Sequence, residues 1–171
     1  MKKRYGVIAI LVAIVVLGVG YAAISNITLN VNGSQATVEV DPDNFVVKFD
    51  EESTFSYSGN PTGSDVTLTR ANDTTATFTI EGLSKKGDSV TITYPIVNES
   101  ETLKASLAAP TITNDNSEYF SVTTTSPAAG TELAANGGKG DLILVVEVLK
   151  TPVEDDEVAN ITASIEASPV Q

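Results

Sequence analysis

The sequence predicts an all-β protein: an Ig-like or jelly-roll β-sandwich of about nine or ten strands, preceded by one N-terminal hydrophobic signal helix. Three observations support this fold class. Beyond residue 26, apolar residues alternate with polar ones in segment after segment, Ser and Thr fill the outward positions, and no segment shows helical spacing over three turns. Turn-forming residues separate the segments at intervals of about a dozen residues, which is typical of a sandwich.

The first 22 residues have the organisation of a signal peptide. The basic start MKKR is followed by an apolar run of 14 residues, Val7–Gly20. Small residues at Gly20 and Ala22 satisfy the small-x-small rule, so we expect cleavage between Ala22 and Ala23. The alternative is an uncleaved membrane anchor, because the run continued through Ile24 has 18 residues, the lower end of what spans about 30 Å of hydrocarbon.

The charge of the mature chain, residues 23–171, excludes one class of partner. All 22 acidic residues follow residue 38 and the leader carries three of the 10 basic residues, so the mature chain keeps seven basic residues and a net charge of −15. Binding of nucleic acid needs clustered Lys and Arg, so we expect no such partner. Since no Cys is present, stability must come from a core, and 149 residues suffice for a single β-sandwich domain.

Missing residue types also restrict the chemistry. Without His or Cys, the chain has no Ser-His-Asp or Cys-His arrangement, no His-zinc site and no reactive thiol. We therefore predict no catalytic residue, no cofactor and no metal site, and no enzyme activity. Asp41 with Asp43 and Asp155–Glu157 offer carboxylates of the kind that Ca²⁺ prefers, but no D-x-D-x-D-G loop accompanies them, and solvated turns are the favoured interpretation.

The first two strands of the mature chain are predicted to form a hairpin. In ITLNV, alternation puts Ile27, Leu29 and Val31 on one face, and QATVEV repeats the alternation. Asn32-Gly33 lies between the two segments, and its tolerance of positive φ suits a two-residue hairpin turn.

The remaining strands follow in chain order. Pro95, within VTITYPIV, lacks a backbone donor, which predicts an edge strand or a position directed away from its neighbour. DLILVVEVL is the most apolar stretch after the leader and predicts a central strand or one covered on both faces. The other predicted strands are NFVVKF, STFSYSG, SDVTLTR, TATFTIEGL, ETLKASLAA, EYFSVTTT and ANITASIEA.

Five glycosylation sequons occur along the chain, and they matter only in a source that glycosylates its exported proteins. They are at Asn26, Asn32, Asn72, Asn98 and Asn160.

Three further features occur together in this chain. The leader ends GVGYAA and runs directly into strand-like sequence. GLSKKGDSVTITYPIVNESETLKASLA contains a Leu, a Lys-Gly-Asp turn, a strand and an Asn-containing loop before the next strand. The chain closes on two apolar strands, DLILVVEVL and ANITASIEA, joined by a charged loop. In these features it resembles the TasA and camelysin family of exported bacterial matrix-fibre proteins, whose leaders are cut by a SipW-type signal peptidase.

This resemblance implies an exported sandwich whose subunits are linked into fibres by donor-strand exchange. In that mechanism a strand with a freed amino end inserts into another molecule's sheet, held by main-chain hydrogen bonds and side-chain pockets. The candidate donor residues are Ile24, Ile27, Leu29 and Val31. Pairing in cis is the competing interpretation, because the hairpin turn favours it; a short donor of residues 23–26 is compatible with both. The metallopeptidase activity described for camelysin-like members is not carried over, because an HExxH site needs His.

The sequence therefore predicts a secreted or cell-surface structural subunit that self-associates into fibres or matrix. Its expected partners are copies of itself, with other matrix or cell-surface proteins as further candidates, and the membrane only through the leader. The alternative is a monomeric Ig-like surface binding module that an uncleaved leader holds in the membrane.

Overall fold

The computed structural model describes residues 11–18, 27–31, 34–38, 44–58, 65–153 and 157–170. Within these ranges the chain forms strands and no α-helix, so they contain no helix long and apolar enough to cross a membrane. The all-β prediction is confirmed. The 14 strands are β1 (Leu11–Gly18), β2 (Ile27–Val31), β3 (Ser34–Val38), β4 (Val47–Phe49), β5 (Thr54–Ser58), β6 (Asp65–Asn72), β7 (Thr75–Glu81), β8 (Ser89–Asn98), β9 (Lys104–Leu107), β10 (Thr111–Asn114), β11 (Phe120–Ser126), β12 (Thr131–Leu133), β13 (Gly138–Val148) and β14 (Ala159–Val170).

The larger sheet has seven strands in the order β12-β9-β14-β1-β7-β6, and β10 also pairs with β14. β9 and β10 pair with successive parts of β14 on the edge opposite to β1. β6 and β7 form an antiparallel hairpin. Among the described strands, this hairpin is joined to the rest of the sheet through β1 alone.

The smaller sheet has five strands in the order β11-β13-β8-β4, and β5 also pairs with β8. β13 contains the DLILVVEV stretch and lies between β11 and β8, so the prediction of a central strand is confirmed. β8 is also interior, so the prediction that Pro95 marks an edge strand is wrong. The other interpretation remains, in which the position of Pro95 is directed away from a neighbouring strand. Pro95 falls in the interval where β4 has ended and β5 has not begun, and its carbonyl accepts a hydrogen bond from Asp50 N at 2.8 Å.

The two larger sheets contribute their buried residues to one hydrophobic core. Alternation produces this core: in β7, Ala76, Phe78 and Ile80 are buried, while the threonines between them are half-buried. Each large apolar side chain buried in this way contributes roughly 1.5–3 kcal/mol. The largest fully buried side chains are Tyr94, Phe49, Phe78, Ile80, Leu83, Ile92, Ile96, Leu107, Leu133 and Leu142.

β2 and β3 form a separate two-stranded antiparallel sheet. The register runs from the Ile27–Val38 pair to the Val31–Ser34 pair, so Asn32-Gly33 alone connects the strands. The predicted hairpin is therefore present, in the register that a two-residue turn requires.

Part of the predicted signal peptide is an extended strand in the structure and not a helix. Its residues Leu11–Gly18 form strand β1 within the larger sheet. A helix satisfies its own backbone groups and suits a bilayer, whereas inside a folded β-protein the same groups are satisfied by neighbouring strands. The β-branched residues of VAIVV favour the extended form in that setting. A helical leader in a membrane stays a prediction.

Two short strands were not predicted from the sequence. β10 has four residues and β12 has three, and the sides of β10 are half-buried and exposed in alternation. Both pair at the edge of the larger sheet, β10 with β14 and β12 with β9. Segments this short carry too few apolar residues for alternation to mark them.

Candidate functional site: the strand position between β7 and β14

β1 occupies an interior position of the larger sheet, with β7 on one side and β14 on the other. It runs parallel to β14 along all eight residues. It runs antiparallel to β7 from Leu11 to Val16. The backbone of β1 is thus paired along both edges, as expected for a strand in the middle of a sheet.

Every second residue of β1, starting at Leu11, is in register with buried residues. The residues between them are in register with half-buried or exposed ones. A strand in this position therefore completes the core on one side of the sheet. The buried partners, all 0–1% exposed, are Ala76, Phe78 and Ile80 on β7 and Ala159, Ile161, Ala163 and Ile165 on β14.

The two central core-side positions differ in size. Val15 is flanked in register by Ala76 and Ala163, the smallest pair along the site. The preceding position on the same face, Ala13, is flanked in register by Phe78 and Ile161. Large and small residues therefore alternate across the strand position, which favours one register of the occupying strand over its neighbours.

Without an occupant, this position would present two unpaired edges. Among the described strands, β7 is paired elsewhere only with β6, and β14 is paired elsewhere with β9 and β10 on its far edge. Unpaired N–H and C=O groups beside buried apolar residues are a template for another strand. The site is therefore suited to binding an extended peptide segment.

The predicted site residues fall in two groups. Ala22, Ala23 and Ile24, at the expected cleavage site and the start of the candidate donor, lie outside the described residues. The other three candidate donor residues lie in β2 and pair in cis with β3. Their register partners are Val38 for Ile27, Ala36 for Leu29 and Ser34 for Val31.

The Lys-Gly-Asp turn has a structural role. Asp88 is 5% exposed, and its Oδ2 accepts hydrogen bonds from Ser84 N at 3.1 Å and Lys85 N at 3.0 Å. Gly87 has φ +90°, a conformation that L side chains rarely adopt, and its N–H donates to the Val148 carbonyl. These contacts close the turn onto the end of β13, so the motif fixes where β8 begins.

Asn98, in the Asn-containing loop of the same motif, is fully buried. Its Nδ2 lies 2.9, 3.3 and 3.1 Å from the carbonyl oxygens of Leu103, Leu133 and Ala134. Its Oδ1 accepts from Ser100 N at 3.1 Å. Asn98 therefore ties the end of β8 to two other segments, and its buried amide is not accessible to glycosylation.

The acidic groups considered for Ca²⁺ are mostly outside the described residues. This applies to Asp41, Asp43 and the first two residues of Asp155–Glu157. Glu157 accepts a hydrogen bond from Asn116 Nδ2 at 3.3 Å. In the described part of the chain, no group of three or more acidic residues is placed to hold a metal ion.

The charged surface carries isolated ion pairs. Lys150 Nζ lies 2.6 Å from the Glu118 carboxylate and 4.8 Å from the centre of the Tyr119 ring. Hydrogen bonding and charge in this pair raise the pKa of Lys150 and lower the pKa of Glu118. Asn160 donates from its side chain and backbone to Asp115, which lowers the pKa of the Asp115 carboxyl. These are solvated structural contacts with no reactive geometry among them.

One exposed apolar feature lies on β5. Phe55 is 44% and Tyr57 is 39% exposed, and their ring centroids are 5.6 Å apart in an edge-to-face arrangement. Burial and the nearby Asp65 carboxylate raise the pKa of Tyr57. The pair offers a small aromatic surface next to a negative charge.

Sequence reasoning did not identify the role of Leu11–Gly18 as a strand. A continuous apolar run does not distinguish a helix from a buried strand by its periodicity. The available signal was composition, because Val and Ile make up four of these eight residues, and the preceding Ile10 makes five of nine. Comparison with known proteins adds no assignment: no protein-family model matches this chain, and no curated protein matches it.

Proposed function

We propose that the chain is an exported structural subunit that self-associates into fibres or matrix by donor-strand exchange. The mature subunit accepts a strand of a second copy between β7 and β14 after cleavage has removed the leader, which contains β1. One observation carries this proposal: a segment of the predicted signal peptide completes the interior of the larger sheet. An Ig-like or jelly-roll sandwich is the finer fold that goes with it, supported by the core that the two large sheets share.

The energetics of refilling the position after the leader is gone depend on side-chain burial and on strand pairing. The two large residues that the donor places on the core side, Ile27 and Leu29, are worth roughly 1.5–3 kcal/mol each on burial. Each ladder hydrogen bond adds about 0.5–1.5 kcal/mol. Association costs about 4–15 kcal/mol, so burial of these two side chains offsets only the lower part of that cost, and the ladder hydrogen bonds along both edges must offset the rest. Pairing along both edges therefore decides whether insertion of the donor is net stabilising.

The predicted mature N-terminus fits the position of β1 when each of its residues takes the place of the residue twelve earlier in the chain. With Ala23 at the first position of β1, Ser25 falls at the position flanked by large residues. Ile27 then falls at the position flanked by two alanines, and Leu29 falls beside Ile165. In this register small and large residues of the donor meet large and small residues of the acceptor.

Two of the candidate donor residues have other places in this register. In an extended strand Ile24 falls on the opposite face from Ile27 and Leu29, so it is not on the core side. Val31 lies one residue beyond the length that β1 occupies. The proposal therefore rests on Ile27 and Leu29 as the residues that fill the site.

Release of the donor from its own hairpin costs little. β2 and β3 pair with each other and with no other described strand. A two-stranded hairpin on its own is marginally stable in water. Pairing between β7 and β14 of a second copy offers β2 two partner strands in place of one.

The test uses the mature chain 23–171 with a matched pair of variants. Ile27→Asp places a charge at the core-side position, whereas the neighbouring Thr28→Asp places the same charge at an outward position. We expect the unaltered chain and Thr28→Asp to form high-mass filaments by light scattering and electron microscopy. We expect Ile27→Asp to stay monomeric with an unchanged circular dichroism spectrum. Equal assembly of the two variants would show that Ile27 is not a donor residue.

The anchored binding module is the second candidate, and the exposed Phe55–Tyr57 pair is the feature that favours it. The binding module and the structural subunit differ in the N-terminal residue expected for protein made by cells. Mass spectrometry that finds a chain starting at Ala23 in high-mass material supports the structural subunit. A chain starting at Met1, monomeric and in the membrane fraction, supports the module and overturns the first proposal.

A further inference from the structure

We infer that the leader, while it is still attached, holds the position between β7 and β14 in cis and thereby keeps the unprocessed subunit from accepting a second copy. Cleavage is then the step that opens the subunit for assembly. This inference rests on the proposed function and adds its regulation.

The first support for the inference is the backbone pairing of β1 along both of its edges. β1 uses the full β14 edge from Ala159 to Glu166 and the β7 edge from Thr75 to Ile80. No backbone edge remains in this interval for a second strand to pair with. A donor can therefore bind only when β1 has left.

The fit of β1 supports it next. Val15 is in register with the two small residues Ala76 and Ala163. Ala13 of β1 is in register with the two large residues Phe78 and Ile161. The leader meets the same alternation of size that the proposed donor register uses. Leader and donor are therefore competitors for one site.

Covalent attachment decides the competition before cleavage. A strand tethered to its own domain has an effective concentration of about millimolar, while subunits at about micromolar concentration offer donors roughly a thousand times more dilute. Cleavage removes this advantage, because the severed leader becomes a separate peptide. Its 14-residue apolar run then partitions into the nearby bilayer.

The experiment uses the full chain, residues 1–171, with a specific protease site inserted after Ala22. Hydrogen exchange of the β7 and β14 amides, followed by mass spectrometry, reports whether the position is occupied. Val15→Asp introduces a charge at a position in register with buried Ala76 and Ala163. The control Val16→Asp is in register with half-buried Thr75 and Ser164.

For the uncut chain we expect a monomer with protected β7 and β14 amides. Val15→Asp should speed their exchange at least tenfold and permit assembly before cutting, and Val16→Asp should do neither. Cutting the unaltered chain should start assembly within the time of the digest.

The outcomes separate this inference from the proposed function. Assembly of the uncut chain at the rate of the cut chain, or rapid exchange of its β7 and β14 amides, would overturn cis occupancy and leave self-association standing. Protected amides in the uncut chain without assembly after cutting would overturn the proposed function and uphold cis occupancy.

Discussion

Replacing Asn98 by Ala tests whether this buried amide holds the end of β8 in place. The side chain is 0% exposed, donates to three carbonyls and accepts from Ser100 N. An amide has two N–H groups, so the three contacts amount to about two donated hydrogen bonds with one shared. The substitution removes these bonds and the one accepted from Ser100 N. The Ala134 carbonyl keeps its bond from Gly138 N, whereas the buried Leu133 carbonyl and the Ser100 amide lose their contact with Asn98.

The size of the effect follows from those contacts. Three lost bonds at about 0.5–1.5 kcal/mol, together with unsatisfied buried groups at about 1–3 kcal/mol each, predict a loss of roughly 3–5 kcal/mol in the free energy of unfolding. For a chain of this length, that corresponds to a fall in Tm of about 6–20 °C.

Urea unfolding followed by far-UV circular dichroism measures the change, since the chain has no Trp for fluorescence. Asn160→Ala is the control, because Asn160 is exposed and its side chain makes a single hydrogen bond, to Asp115. The control should lose no more than about 1 kcal/mol. A loss for Asn98→Ala that is no larger than that of the control would refute the structural role assigned to Asn98.

Two further predictions concern a tight turn and a surface pair. Gly138→Ala should lower Tm by several degrees, because an added Cβ meets the Ala134 backbone. Gly140→Ala, whose added Cβ meets the end of a side chain, should lower it less, and equal effects would contradict this. Lys150→Met should raise the pKa of Glu118 in an NMR titration. Because the folded-state pKa of Glu118 is lowered, the pair stabilises the fold above the usual carboxyl pKa and loses that effect as pH falls; an unchanged pKa would refute the pairing.

Local rules accounted for much of the fold in advance. Asn32-Gly33 between two alternating segments predicted the β2–β3 hairpin with its register, because a two-residue turn leaves one pairing. The apolar content of DLILVVEVL predicted the interior position of β13. In both cases the determining physics lies within a few residues of the chain.

The candidate site could not be predicted in this way. The position between β7 and β14 is made by strands far apart in sequence, and its occupant comes from a run whose periodicity fits a helix and a buried strand equally. The roles of Asp88 and Asn98 were equally hidden, since a polar residue in a turn carries no sign of the backbone groups that tertiary structure will bring to it.

The parallel pairing of β1 with β14 also constrains the order in which the molecule folds. Leu11 and its partner Ala159 are far apart in the chain, so this contact closes a loop that includes almost every other described strand. Pairings of such long range are slow, because the entropy of closing the loop is lost before the contact is gained. The hairpins close shorter loops and the smaller sheet does not contain β14, so both can form before β14 completes the larger sheet.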